Sequence, residues 1–162
     1  MANVRNDVAG VRPSNRQLRV LAGVLAYVVA ALHLLHPDIG VPRLVLIFDA
    51  GIALLQYDPR PLAFVLSGLI LVFGVNLGLV GYPRKPLYVG GMALVATFFL
   101  GYFLWHLTGH GGFLPVREPL FHGMTPLEAV LAHLSTDLWA ATAKLAEAAL
   151  LATLATLYRR EF

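Results

Sequence analysis

The chain has 162 residues, of which 58% are hydrophobic and only 13% are charged, and its mean hydropathy is +0.72. A soluble domain of this size does not carry so apolar a composition, so the sequence predicts an integral protein of the cell membrane. The formal net charge of +3 comes mostly from arginines at the N-terminus and at helix ends, which indicates membrane orientation and no nucleic-acid partner. Because there is no cysteine, a metal would have to be bound by imidazole or carboxylate groups.

The predicted fold is all-α, a multi-pass helical bundle of four to five transmembrane segments. Residues 1–17 are predicted to be a polar N-terminal tail, and residues 18–160 a single transmembrane domain in the lipid bilayer. The first helix is predicted from Leu18 to His36, and its last turn carries His33 and His36 on nearly one face.

The next apolar segment, Pro42 to Tyr57, has Asp49 at its middle. It would reach only about 22 to 24 Å at 1.5 Å per residue, which is marginal for a hydrocarbon core of about 30 Å. The third helix is predicted from Leu62 to Val80. Its Gly74 and Gly78 have the spacing that lets a neighbouring helix approach closely.

The fourth helix is predicted from Leu87 to Thr108, and residues 109–124 form a long loop rich in glycine and histidine. Thr125 and Glu128 then have the spacing of a capping box at a helix start. A short amphipathic turn follows, and the last helix is predicted from Thr136 to Tyr158.

The positive-inside rule favours four spans over five. With segment 42–57 outside the bilayer core, eight Lys and Arg residues lie on the inner side and three on the outer side; with five spans the balance is six to five. The tight turn that follows the segment favours a hairpin and so the five-span alternative. Only four spans would place His33 and His36 on the same side as the other histidines.

Four histidines bracket the long loop: His106, His110, His122 and His133. Because one loop joins them, they stay on the same side of the membrane in either topology. Imidazole binds zinc, copper, nickel and haem iron, so these residues are candidate ligands of a transition metal ion or haem. Asp137 follows His133 by one helical turn and is predicted to hold its second ring nitrogen. The alternative is that the histidines are interface residues bonded to loop carbonyls.

Three charged residues fall inside apolar segments, namely Asp49, Lys144 and Glu147. On a continuous last helix, His133, Asp137 and Lys144 would form one stripe. The charged residues either pair to hold helices together, Lys144 with Glu147 or with Asp49, or belong to a proton or ion path or a ligand pocket.

The arginine excess over lysine, the Ala, Leu, Val and Gly richness and the Trp-His to His-Gly-Gly-Phe stretch resemble small polytopic membrane proteins of halophilic archaea. That resemblance implies no activity. The chain lacks the GxSxG and HExxH motifs, so an enzyme is not favoured.

The leading hypothesis is a membrane protein that binds a metal ion or haem at a histidine-rich face, as a carrier, sensor or redox subunit. The alternative is a cofactor-free small transporter or an accessory subunit of a membrane complex. The candidate partners are the lipid bilayer, further copies of the chain in a homo-oligomer, and the other subunits of a larger membrane complex.

Overall fold

A computed structural model describes residues 13–115 and 117–162, and within them helices are the only regular secondary structure. The helices are α1 (Asn15–Leu34), α2 (Val41–Ala50), α3 (Arg60–Leu79), α4 (Arg84–Leu107), α5 (Pro126–Thr136) and α6 (Leu138–Glu161), with a 3-10 turn at Ile52–Gln56. The predicted all-α bundle is therefore confirmed. The first twelve residues of the predicted polar tail lie outside the described residues.

Four helices, α1, α3, α4 and α6, are long and apolar enough to cross a membrane. The segment predicted from Pro42 to Tyr57 is not one helix. It divides at Gly51, whose φ of 125° interrupts the ten-residue α2 before the 3-10 turn. Ten residues rise only about 15 Å, half the thickness of a hydrocarbon core, so the break supports the four-span alternative.

Two helix starts are determined by capping boxes. Thr125 and Glu128 cap α5 reciprocally, as their spacing predicts, with the Glu128 carboxylate accepting from the Thr125 amide at 2.8 Å. Ser14 and Gln17 do the same for α1, so that helix begins at Asn15, three residues before the predicted start. Such caps satisfy amide groups that would otherwise lack partners at a helix end.

The bundle is built around α1, which packs against α3 and α6, while α4 packs mainly on α6. Small residues of α1 meet leucines of α6, so the two backbones approach closely and the core is apolar. Its best-buried members are Ala22, Ala26, Val29, Leu150, Leu154 and Leu157. Contact between α3 and α4 is limited, and an apolar cavity of about 610 Å³ in this region is lined by residues of α1, α3, α4 and α6.

The prediction that Gly74 and Gly78 form a close helix contact is wrong. A Cβ atom at Gly74 would meet nothing within 4 Å, and one at Gly78 would meet only the tip of Leu87 at 3.6 Å. The close approach lies earlier on α3, at Gly68, where a Cβ would be 2.6 Å from Leu34 of α1. The spacing of glycines does not reveal which face of a helix meets a neighbour.

The antiparallel arrangement gives the bundle two distinct ends. The C-termini of α1 and α4 and the N-termini of α3 and α6 meet at what we call the histidine end, together with α2 and α5. The opposite end, which we call the terminal end, is closed by a salt bridge of 2.8 Å between Arg19 and Glu161. All the histidines therefore lie in the half of the bundle towards the histidine end.

Candidate metal centre

His106 lies on the last turn of α4, where the helical carbonyl groups begin to lack amide partners. Its Nδ1 is 2.8 Å from the carbonyl oxygen of Tyr102, four residues earlier, and its ring packs against the Tyr102 ring with centroids 4.3 Å apart. A carbonyl only accepts, so Nδ1 carries the hydrogen and Nε2 of the neutral ring has a free lone pair.

His110 lies in a tight turn that follows α4. It has a φ of 57°, and its neighbours Gly109 and Gly111 have φ values of 68° and 87°. A left-handed backbone conformation is costly for a residue with a side chain. It persists only where the surrounding structure holds the residue in place, and such positions are frequent in functional sites. Its Nδ1 is 2.7 Å from the carbonyl oxygen of Leu120, so this ring also has a bare Nε2.

The turn around His110 is tightly packed, in contrast to the flexible loop that glycine richness would indicate. A Cβ atom at Gly111 would be 2.5 Å from the Trp105 ring, and one at Gly109 would be 2.7 Å from the Leu120 amide nitrogen. Arg117 also fastens the loop, with its guanidinium 4.8 Å from the Trp105 ring centroid. The backbone therefore fixes the direction in which the His110 ring points.

His133 comes from the last turn of α5 and completes the group. Its Nε2 is 3.0 Å from Nε2 of His110, and its ring centroid is 4.8 Å from that of His106. Burial, reinforced by the charges that His110 and His122 would carry, lowers the pKa of His133 below its usual 6.5. The ring is consequently neutral at neutral pH, which is the form that binds metal ions.

His106, His110 and His133, hereafter the histidine triad, each offer one nitrogen, and these nitrogens lie within 4.8 Å of one another. Two nitrogen ligands of a tetrahedral zinc ion, each at about 2.0 to 2.1 Å, are about 3.3 Å apart. The 3.0 Å between the Nε2 atoms of His110 and His133 is close to that separation. Because Nε2 of His110 is bare, Nε2 of His133 carries the hydrogen of this contact. The triad can therefore close on one ion with small rotations of the rings and transfer of that hydrogen to Nδ1 of His133.

His122 lies at the margin of this group. Its ring centroid is 5.1 Å from that of His110 and 6.4 Å from that of His133, and the residue is exposed. Like His110, His122 has a left-handed backbone conformation, with a φ of 54°. It adjoins the histidine triad from the solvent side without belonging to it.

The structure gives Asp137 a role different from the predicted one. The last helix begins close to its predicted start at Thr136, and Asp137 is the N-cap of this helix α6, with a φ of −99° and a ψ of 96°. His133 therefore lies on α5, and not on the helix that carries Lys144. Oδ1 of Asp137 accepts hydrogen bonds from the amides of Trp139 and Ala140 at 2.9 and 3.0 Å. The stripe of His133, Asp137 and Lys144 does not form, because aspartate is among the best N-cap residues and begins a new helix here.

His33 and His36, candidate ligands in the four-span arrangement, are not part of the histidine triad. The His33 ring is 2% exposed, and both of its nitrogens are engaged, by Ser67 and by Glu147. His36 packs against Trp139, with ring centroids 5.6 Å apart. Neither ring points towards the triad nitrogens.

The charged residues of the apolar segments differ in their partners and in their exposure. Lys144 is paired with Glu147 on α6, one of the predicted alternatives, so a pair with Asp49 is ruled out; Asp49 is exposed on α2. The sequence interpretation missed Ser67, the single hydroxyl residue of helix α3, which is 1% exposed. The presence of one hydroxyl residue in this helix was the feature of the sequence that could have identified Ser67.

Comparison with protein-family models finds no match, and searches of curated proteins and of solved structures find none either.

Proposed function

We propose that this protein is a multi-pass protein of the cell membrane that binds one transition metal ion through His106, His110 and His133 at its histidine end. The observation that carries the proposal is the orientation of two triad rings. Backbone carbonyls hold Nδ1 of His106 and Nδ1 of His110, so both Nε2 lone pairs face the centre of the triad. Metal-binding histidines in proteins have their second nitrogen held in this way.

A single metal ion suits the histidine triad better than haem does. Haem iron offers two axial positions, on opposite faces of a flat ring, whereas here three imidazoles converge on one point. The 3.0 Å between Nε2 of His110 and Nε2 of His133 leaves no space for a porphyrin between them. Neutral imidazoles favour zinc, copper or nickel over calcium and magnesium, which prefer oxygen ligands.

The membrane location is supported by the surfaces of the four long helices. Each carries large apolar side chains that the rest of the chain leaves uncovered, among them Val24, Phe73, Leu100 and Leu145, which are 54%, 64%, 63% and 74% exposed. Soluble proteins rarely leave so much apolar surface in contact with water. Lipid chains would cover these faces, and the histidine triad would then lie at one membrane surface.

Three protein ligands leave a fourth position open on a tetrahedral ion, which distinguishes exchangeable and catalytic sites from closed structural sites. His122 adjoins that group on the exposed side of the loop. It is placed to meet an incoming ion before the triad does. We therefore favour a carrier or a sensor over a permanently metallated structural site.

Metal analysis and titration of the purified chain in lipid test this proposal. The wild type should bind about one zinc or copper ion per chain, and His106→Ala or His133→Ala should each weaken binding by more than the roughly 10- to 100-fold that loss of an outer partner causes. His36→Ala is the matched control, because His36 is a partly buried histidine at the same end and should bind metal like the wild type. Equal metal binding by the wild type and the His106→Ala/His133→Ala variant would contradict the proposal.

A further inference from the structure

A second group of polar side chains lies inside the bundle, deeper than the histidine triad. We call it the core cluster: Ser67 of α3, His33 of α1, and Glu147 and Lys144 of α6. Their exposed fractions are 1%, 2%, 0% and 8%, respectively. Ionisable groups at such a depth are costly and are retained mostly where they carry function.

The members of the core cluster form one continuous chain of contacts. The Phe64 carbonyl is 2.8 Å from Oγ of Ser67, that Oγ is 2.7 Å from Nδ1 of His33, and Nε2 of His33 is 3.0 Å from Oε1 of Glu147. Lys144 then donates to the other carboxylate oxygen of Glu147 and, at 3.0 Å, to the carbonyl of Phe98. The rings of Phe64 and Phe98 lie on His33, with centroids 4.6 and 4.9 Å away, and exclude water.

Counting hydrogens along this chain reveals a shortage. Each of three contacts needs one hydrogen. They join the Phe64 carbonyl to Ser67, Ser67 to His33, and His33 to Glu147. The Ser67 hydroxyl supplies one and a neutral imidazole supplies one. With two hydrogens, either Ser67 loses its bond to the carbonyl or the bare Nε2 faces the carboxylate. A third proton between His33 and Glu147 satisfies all three contacts.

We infer that His33 and Glu147 together bind one exchangeable proton. In the loaded state the proton lies between Nε2 and Oε1, Nδ1 carries a hydrogen, and Ser67 donates to the Phe64 carbonyl. When the proton leaves to water, the remaining ring hydrogen lies on Nε2, Nδ1 becomes bare, and the Ser67 hydroxyl turns to donate to it. Loading adds one positive charge beside Lys144, which opposes the gain in hydrogen bonding and keeps the proton releasable.

The exposed ionisable groups nearest to this proton site lie towards the histidine end. His36 follows the end of α1, three residues after His33, and is partly exposed, with Asp38 and Asp137 close enough to act on its charge. From α4, the groups facing the site are the Phe98 carbonyl and the Tyr102 ring, which Lys144 contacts at 5.3 Å. Among the described residues, the buried side chains from Glu147 down to the Arg19–Glu161 pair and its neighbour Tyr88 include no acid or base. The core cluster is thus a one-sided proton store and not a through path.

Nitrogen-15 NMR of the full chain in lipid bilayers tests the inference, because Nδ1 of His33 has a hydrogen only in the loaded state. Its signal is identified by proximity to the Phe64 and Phe98 rings. When the pH is raised across the range in which the protein stays folded, Nδ1 should change from protonated to bare. An Nδ1 that stays in one state throughout would overturn the inference, and this wild-type measurement needs no variant.

Two variants make the test more specific. Glu147→Gln should hold Nδ1 protonated at every pH, because the amide supplies its own hydrogen to Nε2 while its oxygen faces Lys144. The control Asp49→Asn, an exposed carboxylate on α2, should keep the wild-type transition.

Ser67→Ala should move the loss of the proton to lower pH, because it removes the two contacts that created the shortage of hydrogens. Its control is Ser135→Ala, an exposed serine on α5. An unchanged transition in Glu147→Gln or in Ser67→Ala would refute the inference. The His106→Ala/His133→Ala variant should leave the transition in place, so that failure of the metal proposal and failure of this one are separable.

Discussion

Replacing Gly111 with alanine tests whether the turn after α4 aims His110 at the histidine triad. Gly111 has a φ of 87°, and a Cβ atom added there would be 2.5 Å from the Trp105 ring. The matched control is Gly123→Ala in the same loop. Gly123 has a similar φ of 76°, but a Cβ atom there would meet nothing within 4 Å. The two substitutions therefore share backbone strain and differ in packing.

The magnitudes follow from those two contributions. A left-handed alanine costs about 1 to 2 kcal/mol, so Gly123→Ala should destabilise the protein by that amount. Gly111→Ala adds forced overlap with a packed indole, which costs about 1 to 3 kcal/mol more. The turn can relieve that overlap only by shifting, and His110 shifts with it. Zinc binding requires His110 in its original position, which restores the overlap and its cost of about 1 to 3 kcal/mol. Zinc binding is therefore weakened by about 5- to 150-fold.

Thermal unfolding in lipid and zinc titration of both variants measure these effects. We expect Gly111→Ala to melt below Gly123→Ala and to bind zinc more weakly, while Gly123→Ala binds zinc almost as the wild type does. Equal zinc affinities in the two variants would mean that the turn does not position His110. The tight packing around Gly111 would then have no part in metal binding.

Three further changes have defined outcomes. Gly68→Ala should lower the melting temperature because its Cβ would overlap Leu34, whereas Gly74→Ala should leave it unchanged. Asp137→Asn should keep metal binding and stability, since asparagine also caps helices, whereas Asp137→Ala should cost about 0.5 to 2 kcal/mol of unfolding free energy. Burial raises the pKa of Asp58, but the hydrogen bonds and charge of Arg60 outweigh it and leave that pKa below 3.8. In melting experiments above about pH 3.8, the wild type should therefore be more stable than Asp58→Asn. This difference should vanish as the pH falls through the lowered pKa.

The positions of the long helices were predictable because a span requires about 20 apolar residues, and hydropathy measures that requirement directly. A helix start at Thr136 was predicted as well, but the role of Asp137 as the cap of that helix was not, because the residues on either side of it continue a helical pattern. Whether an aspartate lies in a helix or caps a new one depends on the direction of the chain, which here turns so that α5 crosses the histidine end. A hydropathy pattern contains no such information. The same holds for Gly68, whose role comes from meeting α1.

The members of the histidine triad were predictable because one loop joins their two helices and must bring their ends together. The orientation of their rings was only partly predictable. The partner of His106 is the carbonyl four residues earlier, which any helix offers. The partner of His110 is the carbonyl of Leu120, ten residues along an irregular loop. Every residue has a carbonyl group, so nothing in the sequence marks the one that a ring will meet.

The two histidine sites differ because their partners differ, although the residue type is the same. His106 and His110 have carbonyl groups behind them, which accept and never donate, so each ring keeps its hydrogen on Nδ1 and presents a lone pair to the triad. His33 lies between a hydroxyl group, which donates or accepts, and a carboxylate, which accepts until it is protonated. That environment allows two hydrogen arrangements in place of one. A fixed lone pair suits a metal ion, whereas a choice between two arrangements suits a proton, and the same bundle provides both within its histidine half.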